Sequence, residues 1–305
     1  MKKKFHFVLS GNLQYHYLEF RQNDRLQQVY KQLVDETHSD LHDATFLFNA
    51  YTETRMCEHA TPLIKPYTNV YLDSGGLQVV TLGREVTPEI KQQVYETQAK
   101  YGDYGFCFDE IPVSTEEGGS DLLTMKGRWF DHHRVEDCAR ETAYNINKQV
   151  ETYQKMGSKC KPIVIIQGNC YDSFMKWAEV LEKYVDNDVK PHIGGLAMAG
   201  TSLGRGHLED LDKCFFFPDL PVSFGKKHLH LLAVGSVSRL APTLLAMQTG
   251  YYPEDMLISY DSTTITKYYF TGTYLEAGAK MKPVKKQWGP HYSEIVKDIR
   301  NNFSW

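Results

Sequence analysis

The sequence predicts a (β/α)8 TIM barrel of the α/β class, and three observations carry that prediction. Eight short runs of β-branched and aromatic residues recur along the chain, helical periodicity fills most of the intervals between them, and no Gly-x-Gly-x-x-Gly follows the first run. The first two imply a parallel sheet with helical crossovers, since parallel neighbours cannot be joined by tight hairpins. The third weighs against an open doubly wound sheet with a dinucleotide fingerprint. A chain of 305 residues suits a single unit of this kind, because such barrels commonly reach about 250 residues before insertions. One domain over residues 1–305 is expected.

In chain order the strands are expected at residues 5–10, 44–51, 70–74, 104–109, 162–168, 192–198, 228–235 and 256–261, each short, rich in strand-forming side chains and bounded by turn residues. Helices are expected at 24–35, 88–101, 128–156, 173–184 and 237–249. The start of the second is marked chemically: Thr87 can cap, Pro88 suits the first turn, and Glu89 complements the helix dipole.

Composition narrows the function classes. With 42% apolar and 13% aromatic residues the chain can bury a large core, and no segment approaches the roughly 20 uninterrupted apolar residues of a membrane span. After Lys2, Lys3 and Lys4 the apolar run at 5–10 is too short for a secretion signal, so it is read as the first strand. The six cysteines lack Cys-x-x-Cys spacing, which suggests neither a disulfide framework nor a structural zinc site and fits a reducing, cytoplasmic setting. A net charge of −4 argues against nucleic-acid binding by bulk charge alone. A local patch remains available at Lys280, Lys282, Lys285 and Lys286, with Trp288 for stacking; a solvated surface is the competing reading.

Active sites of such barrels lie where the strands end, and the expected ends here are polar. The third carries Asp73, Ser74, Gly75 and Gly76, the fourth Asp109 and Glu110, the fifth Gln167, Gly168 and Asn169, and the eighth Asp261. The sixth and seventh offer Gly194 with Gly195 and Gly235 with Ser236, where a ligand could approach the backbone. Any one of these acids alone would be read as a helix cap or a salt-bridged strand end, whereas three on one rim point to a site. A flat ligand with ring N–H donors and a carbonyl would match it, a carboxylate accepting from the donors and a glutamine amide or backbone N–H serving the carbonyl. Guanine has that pattern.

These residues resemble the tRNA-guanine transglycosylase superfamily. Asp73-Ser74-Gly75-Gly76-Leu77-Gln78 is similar to its Asp-Ser-Gly-Gly-aromatic-Gln segment, departing only at the aromatic position. Thr87-Pro88-Glu89, Phe108-Asp109-Glu110, Gln167-Gly168, Gly194-Gly195-Leu196-Ala197 and Leu232-Ala233-Val234-Gly235 resemble further family segments in family order, and Asp261 falls where the family has its nucleophile. The resemblance covers about residues 72–267; any one segment would be a weak match. It implies that Asp261 attacks C1′ of the target nucleotide, that Asp73 transfers protons, and that Ser74, Asp109, Gln167, Gly194, Gly195, Leu196 and Ala233 surround the base. No cofactor and no catalytic metal are implied.

The resemblance breaks down in the tRNA-reading features. No cysteine follows Cys214, so the family's C-terminal zinc subdomain is expected to be absent, and residues 263–267 replace its Leu-Pro-Thr-Arg. That pattern resembles the short phage-type branch that places 7-deazaguanine derivatives such as 7-cyano-7-deazaguanine into DNA, in the host cytoplasm if phage-encoded. Residues 196–200 read Leu-Ala-Met-Ala-Gly where the family has Leu-Ala-Val-Gly-Glu, and losing that acid argues against a cationic aminomethyl substituent. The expected partners are DNA, with tRNA as the alternative, a free 7-deazaguanine base, and, as an open option, a second protein that opens the duplex; a flipped or unpaired nucleotide is required. Arg84, Arg239, Lys267, Lys282 and Lys285 are the candidates to grip the backbone, with Arg128, Arg134 and Arg205 behind them, although each alone reads more readily as a surface ion pair.

Three other classes compete. A glycoside hydrolase would use two of Asp73, Asp109, Glu110 and Asp261. A metal-dependent hydrolase would use His228 and His230, or Asp131, His132 and His133, although packed or surface histidines are the simpler reading. A non-catalytic nucleic-acid-binding subunit would be expected to lack the acid at Asp261.

Overall fold

The computed structural model describes residues 4–10, 45–65, 69–82, 86–115, 128–199, 215–234, 237–253, 255–262, 273–276 and 280–283, together with Asp24 and Gln28. Strand β1 (Lys4–Ser10) is followed by β2 (Thr45–Asn49), helix α1 (Thr54–Ile64), β3 (Val70–Asp73), α2 (Gly76–Leu82) and α3 (Pro88–Tyr101). Then come β4 (Tyr104–Phe106), a hairpin of β5 (Val113–Thr115) and β6 (Arg128–Phe130), α4 (Val135–Lys155), β7 (Lys161–Gln167) and α5 (Tyr171–Tyr184). Strands β8 (Gly195–Ala199) and β9 (His228–Leu231), helix α6 (Val237–Gln248), strand β10 (Leu257–Ser262) and a second hairpin, β11 (Thr273–Glu276) with β12 (Lys280–Pro283), complete the described elements.

The sheet closes in the order β1-β10-β9-β8-β7-β4-β3-β2, with every described neighbour parallel. This is a (β/α)8 barrel, and its strands fall on the eight runs expected from the sequence. Closure leaves no barrel strand with an open edge. The continuous apolar run from Ile163 to Ile166 in β7 is buried throughout, as expected of a strand covered on one side by helices and on the other by the barrel interior. Helix α3 starts where its sequence signals placed it, with the Thr87 side chain accepting from the Ile90 N–H at 3.4 Å and Pro88 in the first turn.

Period-2 alternation decides what fills the barrel. On β9, His228 and His230 point inward against Tyr71 and Phe106, with ring centroids 6.0 Å apart for Tyr71 and His228 and 4.8 Å apart for Phe106 and His230. On β10 the same alternation brings Ser259 and Asp261 to the histidines. The interior is therefore an aromatic and imidazole layer beneath a polar rim.

A buried amide network braces β3 and β4 against the helices outside. Gln98 Nε2 donates to the carbonyls of Leu72 at 3.1 Å and Phe106 at 2.8 Å. Its Oε1 accepts from Gln149 Nε2 at 2.9 Å and from the Tyr153 hydroxyl at 3.0 Å. Gly105 leaves the space for that hydroxyl, since a Cβ there would collide with Tyr153 Oη. Gln98→Leu keeps the volume but strands several buried polar groups, and is expected to lower unfolding free energy by roughly 3 kcal/mol. Urea denaturation checks it; a loss within experimental error would remove the bracing role.

Three local expectations need correction. Residues 128–156 are not one helix: Arg128, Trp129 and Phe130 pair with Thr115, Ser114 and Val113, and α4 begins only at Val135. Asp131 breaks the segment by accepting from the His133 N–H at 3.0 Å and from Ser114 Oγ at 2.5 Å. The sixth strand begins at Gly195 rather than residue 192, because Lys190, Pro191 and His192 form a 3-10 turn. Helices α1 and α2 were not anticipated. The helix expected at 24–35 lies outside the described residues apart from Asp24 and Gln28, both helical.

Candidate active site

The C-terminal ends of β1, β2, β3, β7 and β10, with the segment after β4, bring six polar side chains to one rim. Asp261 is buried on β10 and held by three groups: its Oδ1 accepts from the Ala233 N–H at 2.8 Å and faces His230 Nε2 at 3.3 Å, and its Oδ2 accepts from Ser10 Oγ at 3.2 Å. Ala233 reaches it from a left-handed backbone conformation, φ 57°. A positive φ in a non-glycine residue is sterically strained and persists only where surrounding structure enforces it. Here it aims an N–H at a carboxylate.

Asp73 stands at the end of β3, opposite Asn49 in the register with β2. Asn49 donates through Nδ2 to Asp73 Oδ2 at 3.1 Å, while its own Oδ1 accepts from the N–H groups of Tyr51 at 3.1 Å and Thr52 at 2.9 Å. Those two backbone donors fix the amide orientation, so an N–H must face Asp73. Desolvation, reinforced by the charges of Asp109 and Asp261, pushes the Asp73 carboxyl up to about 7; N–H groups of Gly75 and Ser74 only partly oppose this. It is therefore poised to give and take a proton near neutrality.

Asp109 is buried beyond the end of β4 and accepts from Gln167 Nε2 at 2.6 Å. Desolvation pushes its carboxyl up to about 6, with Gln167 opposing. Gly76 makes the arrangement sterically possible, since a Cβ there would lie 2.7 Å from Asp109 Oδ1. Gln167 Oε1, on the amide that holds Asp109, is buried and has no hydrogen-bond partner among the described residues, and the buried Oγ of Ser74, next in sequence to Asp73, has none either. Buried polar atoms are normally paired, so the unpaired side of the Gln167 amide marks a place where a polar ligand fits.

Several sequence candidates do not join the rim. Gly194, Gly195 and Leu196 sit at the opposite, N-terminal end of β8, where Gly195 and Leu196 are level with Ile163 and Val164 of β7 and Ala199 is level with Gln167. Their smallness serves packing, because a Cβ on Gly194 would meet Lys161 at 2.6 Å and one on Gly195 would meet His228 at 2.9 Å; Leu196 is fully buried in the core. Glu110 turns away to pair with Lys91 at 3.0 Å. Asp131 caps, as described above, and Arg134 donates to the Val113 carbonyl. Among the described residues no group of three or more His, Cys, Asp and Glu could hold a metal ion.

Of the proposed backbone-gripping residues, Arg84, Arg205, Lys267 and Lys285 lie outside the described residues, as do Gly235, Ser236, Lys286 and Trp288; Lys280 and Lys282 lie on β12 and Arg239 on α6, with their side chains likewise outside. Sequence reasoning missed Ser10, Asn49 and the part played by His230. Alternation along three expected strands would have put Ser10, Asn49 and His230 on inward faces, but a hydroxyl, an amide or an imidazole at a strand end has too many other uses to stand out alone.

Fold and site together define a (β/α)8 barrel with three carboxylates converging on its C-terminal mouth. No family model matches the sequence, and no curated protein does. Among solved structures, a protein assigned as a deoxyribose-phosphate aldolase from Toxoplasma gondii ME49, in its apo form, is similar at a TM-score of 0.42 and 11% identity, over 87% of this chain and 91% of that one. That likeness bears on neither substrate nor residue roles. No helix among the described residues is long and apolar enough to cross a membrane.

Proposed function

We propose that this protein is a pentosyltransferase that replaces guanine in nucleic acid with a 7-deazaguanine base, DNA being the favoured substrate and 7-cyano-7-deazaguanine the favoured incoming base. The observation that carries the reading is the pairing of two unlike carboxyls on one rim: Asp261, held by the Ala233 N–H and the Ser10 hydroxyl with His230 Nε2 beside it, and Asp73, pushed up to about 7. The first is suited to attack and the second to proton transfer. The ordered resemblance to guanine transglycosylases supplies the substrate class.

In the first displacement an Asp261 oxygen attacks C1′, the bond from C1′ to the base nitrogen breaks with its electron pair going to the base, and protonated Asp73 delivers a proton to the departing guanine. Ionised Asp109 accepts from the guanine N–H edge, and the Gln167 amide lies beside it for the carbonyl. The incoming base then gives a ring proton to Asp73, attacks C1′ and expels Asp261 as a carboxylate. Two inversions give net retention.

The test is mass spectrometry of nucleosides after incubation with 7-cyano-7-deazaguanine and, separately, guanine-containing duplex DNA, single-stranded DNA and tRNA. Modified deoxynucleoside is the expected result. Modified ribonucleoside alone would move the activity to tRNA, and guanine release without insertion would make the protein a hydrolase.

A further inference from the structure

Beneath Asp261 the barrel interior holds a hydrogen-bonded chain that the base-exchange chemistry does not use directly. His228 Nε2 lies 2.7 Å from Ser259 Oγ, Ser259 Oγ lies 2.8 Å from His230 Nδ1, and His230 Nε2 lies 3.3 Å from Asp261 Oδ1. His228, His230 and Ser259 are all buried, and Tyr71, Tyr104 and Phe106 pack against the two imidazoles. We infer that His230, held by Ser259 and His228, is a positioning residue that donates to Asp261 Oδ1 and makes Asp261 a better leaving group in the second displacement. The inference rests on the reading of Asp261 as nucleophile.

The proton arrangement follows from counting. The Ser259 hydroxyl has one proton and two lone pairs, and it faces two imidazole nitrogens and the Tyr71 hydroxyl. If its proton went to His228 or to Tyr71, His230 would have to carry its proton on Nδ1. Its Nε2 would then either turn a lone pair on the carboxylate or bear a second proton as a buried imidazolium. If instead His228 Nε2–H donates to Ser259 and Ser259 donates to His230 Nδ1, His230 Nε2–H is left to donate to Asp261. That arrangement satisfies each hydrogen bond of the chain with both rings neutral, and it fixes the tautomer of His230 from two residues away.

The consequence is asymmetric. A donor on Oδ1 stabilises the carboxylate more than the neutral ester formed by attack on C1′, because charge-assisted hydrogen bonds are the stronger ones. Together with the Ala233 N–H on the same oxygen, His230 therefore lowers the barrier for expelling Asp261 and slightly restrains its attack. Loss of the donor should slow the second displacement and let the covalent nucleotide adduct build up. A residue that merely fills space would reduce both displacements alike.

The test compares His230→Asn with His230→Gln. The Asn amide can reach the position of Nδ1 toward Ser259 but cannot replace the Nε2 donor, whereas the Gln amide nitrogen can reach the position of Nε2. Exchange of labelled guanine into guanine-containing single-stranded DNA is measured beside the protein–DNA adduct retained on a denaturing gel. For His230→Asn the expected result is exchange slower by about 10- to 100-fold with adduct increased over wild type, and for His230→Gln recovery of most of the rate. Nitrogen-15 NMR of the imidazoles should report His230 as the neutral Nε2–H tautomer in the wild type. Unchanged exchange in His230→Asn, equal loss of exchange and adduct in both variants, or an Nδ1–H or doubly protonated His230 would each overturn the relay alone. Absence of both exchange and adduct from the wild type would overturn the proposed function and the relay's role together.

Discussion

Asp261→Asn is expected to abolish base exchange, by about 10^4-fold or more, while the barrel still folds. The size follows from the chemistry: an amide oxygen is a far weaker nucleophile than a carboxylate and cannot form the ester that divides one difficult substitution into two. The fold survives because the amide can meet the same neighbours. Its oxygen can accept from the Ala233 N–H and from His230 Nε2, and its nitrogen can donate to Ser10 Oγ, the three groups that now hold the carboxylate. The substitution also removes one of the charges that push Asp73 up, so Asp73 should titrate closer to the ordinary carboxylate range. The measurements are labelled-guanine exchange, adduct formation and the thermal midpoint. Turnover at the wild-type level would sink the assignment of Asp261, and loss of turnover with a collapsed midpoint would call for Asp261→Ser as a second variant before any role is assigned.

The barrel was legible in the sequence because its signals are local. Each strand needs only a short run of suitable side chains, and Thr87 with Pro88 announces α3 by cap chemistry alone. Asp73 and Asp261 were legible for the same reason: a carboxylate at the end of an apolar strand is conspicuous. What failed depended on contacts distant in sequence. Arg128, Trp129 and Phe130 have a pattern compatible with helix, yet pairing with Val113, Ser114 and Thr115 makes them a strand. Gly194 and Gly195 read as an opening toward a ligand, whereas they admit the neighbouring side chains of Lys161 and His228 at the far end of the barrel; even the expected run, 192–198, has them in its first half, and a glycine pair carries no local signal of which mouth it serves. The chain from His228 to Asp261 was hidden because its links join the inward faces of the neighbouring strands β9 and β10, and only alternation on both strands together brings them into contact.

A bell-shaped pH dependence with limbs near 6 and near 7 is the second large effect expected. Departure of guanine needs Asp73 protonated, and its carboxyl is pushed up to about 7, so kcat/KM should fall about tenfold per pH unit above that value. Recognition of the guanine N–H edge needs Asp109 ionised, and its carboxyl is pushed up to about 6, so the rate should also fall below that value. Asp73→Asn should lower exchange by about 10^2- to 10^4-fold and remove the alkaline limb while keeping the acid one. The same groups act on stability with a definite sign. Both carboxyls hold protons to higher pH in the folded chain than in the unfolded chain, where a carboxylate titrates at about 4, so the native state binds more protons in that window and stability falls as pH rises from about 4 through about 7. The thermal midpoint of the wild type should therefore decline from acid toward neutral pH, and Asp73→Asn should flatten the upper part of that decline by removing a buried charge from the mouth. A variant that kept the alkaline limb would show that another group carries the proton, and a midpoint rising through the same window would mean that the two carboxyls are ionised in the folded protein well below neutrality.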